Sequence, residues 1–395
     1  MKKYYPYLIT VSHMINDSCQ SVLPALLPLF IYTYGLSLEQ AGFLILSNTA
    51  LSSLLQPLLG YLSDKINQPR LIALGVLLSA CSTGVMGFVT SYESLLVCAT
   101  LAGVGSSIFH PEGAKIMNRL GGGKKGKAMG TFAIGGSSGF AIGPLFAGSI
   151  AYTVGPHGLA AFTVVGLIIS TILFILMPRI VAHARTIDQA VATENPTLVD
   201  KPLKNYWKYF GILFVIILSQ SVNFRVINAF IPIFWTRELG TSPEQGSFAL
   251  TVFFSIGIFM TYIGGLLGDK YGPIKIIRLS LLIWLPAMFL LTEVPTFSPV
   301  IMMPVAYLLL LMIGAAKAIS YSPVIVLGQT YLAKSIGFAS GITLGVSQTP
   351  GGIIAPVVGN LADTYTLPAA MMTLVPFLVV GLGASLILKD PKKLQ

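Results

Sequence analysis

Long apolar runs separated by short charged turns make up almost all of this chain. Its 395 residues are 54% hydrophobic and only 10% charged, whereas an average soluble domain carries roughly 25% charged residues. A helix needs about 20 apolar residues to cross a bilayer. The sequence therefore predicts an all-α polytopic membrane protein with twelve transmembrane helices, at residues 7–34, 40–63, 71–90, 94–118, 127–152, 158–178, 208–236, 244–268, 274–292, 299–331, 337–362 and 367–388.

One polar stretch, residues 179–207, interrupts the apolar runs after the sixth of them. We interpret this stretch as a cytoplasmic linker that is partly flexible. It would join an N-terminal six-helix bundle, residues 1–178, to a C-terminal six-helix bundle, residues 208–395.

The basic residues lie almost entirely on one side of the predicted helices. If both termini are cytoplasmic, 20 of the 24 Lys and Arg residues fall on the inner side, and Arg237 alone falls on the outer side. Because positive residues concentrate in cytoplasmic loops, the sequence predicts cytoplasmic termini and a multi-pass position in the cell membrane. The net charge of +10 is then explained by anionic inner-leaflet lipid, and no nucleic-acid partner is expected. The first run lacks a small-residue cleavage site, so we interpret it as a retained helix.

A charged turn with the same pattern occurs once in each half, starting at Gly60 and again at Gly265. A glycine lets two helices approach closely, and an acid at a helix end can hold a neighbouring helix terminus. These properties predict a cytoplasmic gate. Its residues are Gly60, Asp64, Lys65 and Arg70 in the first half, and Asp269 and Lys270 in the second.

Charged residues inside the apolar runs fall on every third helix. They are Asp17 on helix 1, Glu112 and Lys115 on helix 4 beside His110, Arg225 on helix 7 and Lys317 on helix 10. Charges at bilayer depth are costly and normally face a cavity or a partner, so these four helices are expected to line one water-filled path. Alternatives stay open: Lys115 could snorkel to the surface or pair with Glu112, and His13 could be a satisfied polar residue near a helix end.

Motifs for enzymatic chemistry are missing from the sequence. The three cysteines lie inside apolar runs, and there is no metal-ligand spacing, nucleophile elbow or phosphate-binding loop. We therefore expect no enzymatic activity, no metal and no cofactor, and ATP-driven transport is disfavoured.

Helix 5 carries small residues at regular spacing, including Gly139 and Gly143, followed by Pro144. Small residues form a groove for a neighbouring helix, and the proline removes one backbone donor and bends the helix. Gly351 and Pro356 take similar relative positions on helix 11, which is consistent with an internal repeat.

These features resemble the major facilitator superfamily of transporters. The repeated turn resembles the loop after helix 2 and helix 8 in that family, where helices 1, 4, 7 and 10 line the central cavity. The helix 5 spacing is similar to the motif typical of its antiporters, with Ala147 where a glycine is usual. The segments 13–17, 23–28, 109–115, 225–232 and 337–345 resemble the fosmidomycin-resistance branch of drug exporters. Ala99 stands where many proton-driven exporters carry an arginine on helix 4, so their coupling mechanism does not transfer directly.

The resemblance implies the major facilitator fold and a proton-coupled antiporter that exports small drug-like or anionic compounds by alternating access. Partners would be the substrate, protons and the lipid bilayer, and the protein would be a monomer. The expected proton-coupling residues are Asp17, Glu112 and His110, and the expected substrate-binding residues are Arg225, Lys317, Asn16 and Asn228. Because fosmidomycin is a phosphonate, an anionic group bound by Arg225 fits this branch. Alternatives are an importer or symporter of an anionic metabolite, and a sensor of the same fold.

Overall fold

The computed structural model describes residues 4–66, 68–122, 125–194, 204–333, 339, 342–343 and 349–390. Within these ranges the regular structure is helical, apart from one isolated β-bridge between Asn205 and Leu332. The helices are α1 (Tyr5–Ala25), α2 (Leu27–Tyr34), α3 (Leu38–Ile66), α4 (Leu71–Val85), α5 (Tyr92–Gly121), α6 (Lys125–Thr153), α7 (Ala160–Glu194), α8 (Trp207–Arg237), α9 (Pro243–Tyr271), α10 (Pro273–Glu293), α11 (Pro299–Ile319), α12 (Tyr321–Tyr331), α13 (Thr349–Thr364), α14 (Leu367–Met372) and α15 (Val375–Ile387).

Local signals in the sequence explain several helix boundaries. At the start of α9 the Ser242 hydroxyl accepts from the Gln245 N–H at 3.4 Å, and the Ser242 N–H donates to Gln245 Oε1 at 3.3 Å. This capping box is followed by Pro243, whose fixed φ suits the first helical position. Gly272, with φ 93°, separates α9 from α10, and glycine adopts such an angle without strain.

The first apolar run is bent rather than straight. It divides into α1 and α2, which meet at 47°. Pro24 lies in the last turn of α1 and another proline lies in the first turn of α2. Because each proline removes a backbone donor and crowds the preceding turn, this is where the run breaks.

Eight helices in the described part of the chain are long and apolar enough to cross a membrane, and the pair α1 and α2 would make a ninth. Helix α4 is apolar but shorter, and the run at 337–362 lies partly outside the described residues. The helical character of the apolar runs is thus confirmed. The number twelve and the cytoplasmic position of both termini stay predictions.

The helices pack into two compact units. Unit 1 contains Met1–Leu23 and Ser47–Lys201, and unit 2 contains Pro24–Leu46 and Pro202–Gln395. The segment 24–46 packs with helices from later in the chain; for example, Ser247 Oγ donates to the Ala25 carbonyl oxygen at 2.7 Å. Helix α7 continues to Glu194 and so covers the first part of the predicted linker. The division into 1–178, 179–207 and 208–395 stays a prediction.

Candidate functional site

Three ionisable side chains from α1 and α5 meet inside unit 1. His13 Nε2 lies 3.1 Å from Asp17 Oδ2, His110 Nε2 lies 3.3 Å from Asp17 Oδ1, and the two Nε2 atoms are 3.3 Å apart. His13 and Asp17 are four residues apart and so share one face of α1. Their side chains are buried, whereas the His110 side chain is 28% exposed. We name these three residues the His–Asp–His cluster.

The other ring nitrogen of each histidine already has a partner. His13 Nδ1 lies 2.8 Å from the Phe132 carbonyl oxygen, and His110 Nδ1 lies 2.9 Å from the Ser106 carbonyl oxygen. A carbonyl oxygen can only accept, so each Nδ1 carries a proton and each neutral Nε2 presents a lone pair. Two nitrogen lone pairs and a carboxylate therefore point at one another. Such an arrangement is favourable only when a cation, such as a proton, lies among them.

Helix α6 shapes the remaining wall of the cluster. The Phe132 ring stacks on the His13 ring with 3.9 Å between their centroids. One turn further on, Gly136 faces the cluster: a methyl group there would lie 2.7 Å from Asp17 Oδ2 and 2.8 Å from His13 Nε2. Because any side chain would clash at this position, the glycine lets α6 pack closely against the Asp17 carboxylate and the His13 ring.

The structure brings together two of the three predicted proton-coupling residues. Asp17 and His110 are in contact, while Glu112 is buried on α5 without being part of the cluster. Residues two apart on a helix do not face each other, so His110 and Glu112 point to different sides of α5. His13, interpreted from the sequence as a satisfied polar residue, takes the third position. The signal that could have found it is its i, i+4 spacing from Asp17.

The two asparagines predicted to bind substrate lie in different units. Asn16 is buried in unit 1, where its Nδ2 donates to Asp17 Oδ1 at 3.0 Å and to Ser106 Oγ at 3.4 Å. It therefore contacts the His–Asp–His cluster directly. Asn228 is buried on α8 in unit 2.

Two basic side chains in unit 2 share one aromatic ring. Arg225 Cζ lies 5.6 Å and Lys317 Nζ lies 5.0 Å from the centroid of Phe224, and Lys317 Nζ also lies 5.2 Å from the centroid of Tyr321. A cavity of about 30 Å³ borders Lys317 and Gln220, which is room for a water-sized group. Unit 2 carries its acidic residues at helix ends and in loops. We name Arg225, Lys317 and Phe224 the basic cluster, which carries two positive charges close to one aromatic ring.

The predicted gate is described in part. The surroundings of Gly60 and the side chains of Asp64 and Lys65 lie outside what the structure describes. Arg70 Cζ lies 4.8 Å from the centroid of Phe174. Asp269 and Lys270 are exposed near the end of α9.

The helix-packing glycines of α6 lie against α1. A methyl group at Gly139 would meet the Met14 carbonyl oxygen and lie 2.9 Å from the Ser18 nitrogen. A methyl group at Gly143 would meet Ser21 Oγ and lie 2.9 Å from Ser18 Cα. Pro144 follows inside α6. These contacts position α6, and with it Gly136, beside Asp17.

One polar contact in unit 2 has no counterpart among the sequence-based predictions. The Asp363 carboxylate on α13 accepts the backbone N–H groups of Leu38 and Glu39, each at 2.9 Å, and so caps the start of α3. Asn360 Nδ2 donates to Glu39 Oε2, also at 2.9 Å. The signal was in the sequence: Gly359-Asn-Leu-Ala-Asp363 repeats the G-x-L-x-D spacing of the two charged turns.

Comparisons with known proteins assign the family. The family model of the Major Facilitator Superfamily matches residues 9–356 and 213–395. An uncharacterized MFS-type transporter, YfnC of Bacillus subtilis, is 31% identical over 98% of this chain and 94% of its own length. This chain therefore belongs to the Major Facilitator Superfamily, and it is a multi-pass membrane transporter of small molecules.

Other similarities agree with the resemblance drawn from the motifs. The fosmidomycin resistance protein of Escherichia coli is 29% identical over 90% of this chain and 85% of its own length. Among solved structures, a bacterial homologue of the lysosomal transporter Spinster, inward-facing and occupied, aligns with a TM-score of 0.76 at 17% identity, covering 98% of this chain and 96% of that one. A D-xylose-proton symporter aligns with a TM-score of 0.75 at 16% identity over the same shares. The two structures support the fold alone, and both relatives and neighbours are transporters rather than enzymes.

Proposed function

We propose that this transporter is a proton-coupled antiporter that exports small drug-like or anionic compounds by alternating access. The observation that carries this proposal is the His–Asp–His cluster, in which three acceptors converge around a space suited to a proton. A buried group that gains and loses a proton changes its charge, and a change of charge can bias a transporter toward one of its two states. Glu112, buried on the same helix as His110, is proposed as a second proton carrier.

We propose that the substrate is bound through the basic cluster of unit 2. Arg225 can hold a carboxylate or phosphonate through two parallel hydrogen bonds, and Lys317 adds a second positive charge close by. Asn16 and Asn228 would contribute further polar contacts. Support comes from two relatives, the fosmidomycin resistance protein and a Bacillus subtilis multidrug resistance protein that is 21% identical over 94% of this chain.

The remaining parts of the proposal concern the gate and the setting. The charged turn with Gly60, Asp64, Lys65 and Arg70 would close the cytoplasmic side, with Asp269 and Lys270 as a weaker counterpart. Gly139, Gly143 and Pro144 would let α6 slide against α1 during the cycle. We place the protein in the cell membrane, with cytoplasmic termini, as a monomer.

A second candidate is the import of an anionic metabolite together with protons. It is favoured by the basic cluster, which suits any small anion, and by a hexuronate transporter of Escherichia coli that is 22% identical over 96% of this chain and 92% of its own length. Both candidates use the same residues but move substrate in opposite directions relative to the proton.

One experiment separates these candidates. The purified protein is reconstituted into liposomes that contain a pH-sensitive dye, and labelled fosmidomycin is followed under pH gradients of either sign. An antiporter accumulates substrate on the acidic side, a symporter accumulates it on the alkaline side, and a sensor moves none. Liposomes without protein measure how fast the labelled substrate crosses the bilayer unaided. Flux that ignores the sign of the gradient would overturn proton coupling.

A further inference from the structure

We propose that the His–Asp–His cluster of unit 1 is a binding site for a divalent transition-metal cation of the Zn²⁺ type. The ligand atoms would be His13 Nε2, His110 Nε2 and one carboxylate oxygen of Asp17, all of which lie within 4.8 Å of one another. A water molecule would complete the coordination. This site goes beyond the proposed transport activity, since a metal can bind here whether or not protons drive a substrate.

The first argument is the orientation of the two imidazole rings. Histidines that bind a metal through one nitrogen almost always donate the other N–H to a carbonyl or carboxylate, which fixes the tautomer and the ring plane. Both histidines do this: His13 Nδ1 bonds the Phe132 carbonyl oxygen and His110 Nδ1 bonds the Ser106 carbonyl oxygen. Both Nε2 atoms thereby present a lone pair, and each lies within 3.3 Å of an oxygen of the Asp17 carboxylate.

The second argument is the separation of the ligand atoms. Zn²⁺ binds imidazole nitrogen and carboxylate oxygen at about 2.0–2.1 Å in a tetrahedron, which places neighbouring ligand atoms about 3.3–3.4 Å apart. The observed separations are 3.1 Å for His13 Nε2 to Asp17 Oδ2, 3.3 Å for His110 Nε2 to Asp17 Oδ1, and 3.3 Å between the two nitrogens. Each nitrogen thus stands at tetrahedral spacing from the other nitrogen and from one carboxylate oxygen, and a turn of the Asp17 carboxylate would bring a single oxygen to complete the face.

The third argument is access and the choice of metal. The His110 side chain is 28% exposed, so the cluster has one side from which an ion can enter and at which it can keep a water ligand. Imidazole with a carboxylate suits Zn²⁺, Ni²⁺ and Cu²⁺. Mg²⁺ and Ca²⁺ prefer all-oxygen sites with six or more ligands, and they are not expected to bind.

The test measures Zn²⁺ binding to the purified full-length protein in detergent by titration calorimetry. The affinity tag must not contain histidine, because a His-tag would itself bind the ion. We expect one Zn²⁺ per chain and no binding of Mg²⁺. Loss of a partner outside the coordination sphere typically costs about 10–100-fold in affinity, so removing a ligand by His13→Ala or His110→Ala should cost at least about 100-fold.

A matched control comes from a histidine outside the cluster. His157 contacts Phe88 near the start of α7, and His157→Ala should leave the affinity unchanged. Equal losses in His157→Ala and His110→Ala, or no binding to the wild-type protein, would overturn the proposal and leave the cluster as a proton site.

A second measurement uses only the wild-type protein, so it does not depend on whether the variants fold. X-ray absorption spectroscopy of the Zn²⁺-loaded wild-type protein should show four nitrogen or oxygen ligands at about 2.0–2.1 Å, with the multiple scattering of two imidazole rings. A spectrum without imidazole ligands would overturn the site. If the liposome experiment shows no proton-coupled flux but this spectrum shows two imidazole ligands, the proposed function is wrong and the metal site remains.

Discussion

The two units each hold a partly or fully buried group of ionisable residues, and the two groups have opposite chemical character. In unit 1 the His–Asp–His cluster is made of acceptors that need a cation. In unit 2 the basic cluster is made of positively charged donors. In both groups a glycine of another helix packs against the charged residue. A methyl group at Gly136 would lie 2.7 Å from Asp17 Oδ2, and one at Gly351 would lie 2.7 Å from Arg225 Cβ. In both groups a close approach of another helix thus fixes the backbone around the charged residue.

The side chains of the two groups contact different kinds of atoms. Each histidine of the His–Asp–His cluster is fixed by a backbone carbonyl oxygen. Arg225 and Lys317 approach an aromatic face, a contact that is less directional than a hydrogen bond. In the proposed function the two groups have separate roles, with a small ion bound in unit 1 and the substrate bound in unit 2.

The strongest test of this division is Asp17→Asn, which removes the charge of the carboxylate and keeps its shape. We expect it to abolish pH-driven accumulation in proteoliposomes, while exchange of substrate down its own gradient continues, since the basic cluster is untouched. Glu112→Gln is the comparison on α5, because that side chain is buried outside the cluster. If Asp17→Asn still accumulates substrate and Glu112→Gln does not, the proton site is at Glu112.

The next largest effect is expected at Arg225. Hydrogen bonds to charged groups are worth about 1.5–3 kcal/mol, so Arg225→Ala should weaken binding of an anionic compound about 10- to 100-fold. Arg225→Lys keeps the charge and loses the paired hydrogen bonds. Its affinity for the anionic compound should lie between those of the wild-type protein and Arg225→Ala. The measurement is substrate affinity by counterflow for one anionic and one cationic compound, with Arg237→Lys at the end of α8 as control. Equal losses for both compounds would contradict an anion site.

A smaller effect is expected at the charged turns. Asp64→Asn should slow transport at least about tenfold, equivalent to ~1.4 kcal/mol on the rate-limiting barrier, without lowering the amount of protein in the membrane. Asp269→Asn should do less, because its turn continues with Gly272 and Pro273 and departs from the first copy. Initial rates and immunoblots of membranes measure both. Wild-type rates in Asp64→Asn would remove the gating role.

The smallest effect is expected at Asp363, the acidic residue of unit 2 that caps α3. Removing a capping side chain costs about 1 kcal/mol, so Asp363→Ala should lower the free energy of unfolding in detergent by about that amount. Glu293→Gln, at the end of α10, should leave it unchanged. Proton coupling should also be unaffected by Asp363→Ala, and a loss of coupling there would break the contrast between the two units.

The fold was accessible from sequence because its signals are local. Run length, loop charge and the repeated turn predicted a helical transporter, and the family comparison confirms it. Two details escaped. The bend between α1 and α2 depends on two prolines within one apolar run. Helix α7 continues past Pro178 to Glu194, although residues 179–194 carry charges that indicated a linker.

The site was accessible only in part, because its geometry depends on contacts far apart in sequence. Asp17 and His110 were identified as buried charges on helices expected to share a path. Their meeting with His13 requires a helix rotation and a ring orientation that no spacing encodes, since 97 residues separate the two histidines. For the same reason no metal-ligand motif was visible. The cap at Asp363 likewise joins residues 325 positions apart.

The two carbonyl bonds at Nδ1 have a thermodynamic consequence. A free imidazole side chain loses rotational freedom when it captures an ion, and that entropy loss weakens binding. In unit 1 the rings are already immobilised when the chain folds, because turning either ring over would break its bond to Phe132 or Ser106. Folding thus bears the ordering cost, and capture of an ion requires little further rearrangement of the protein.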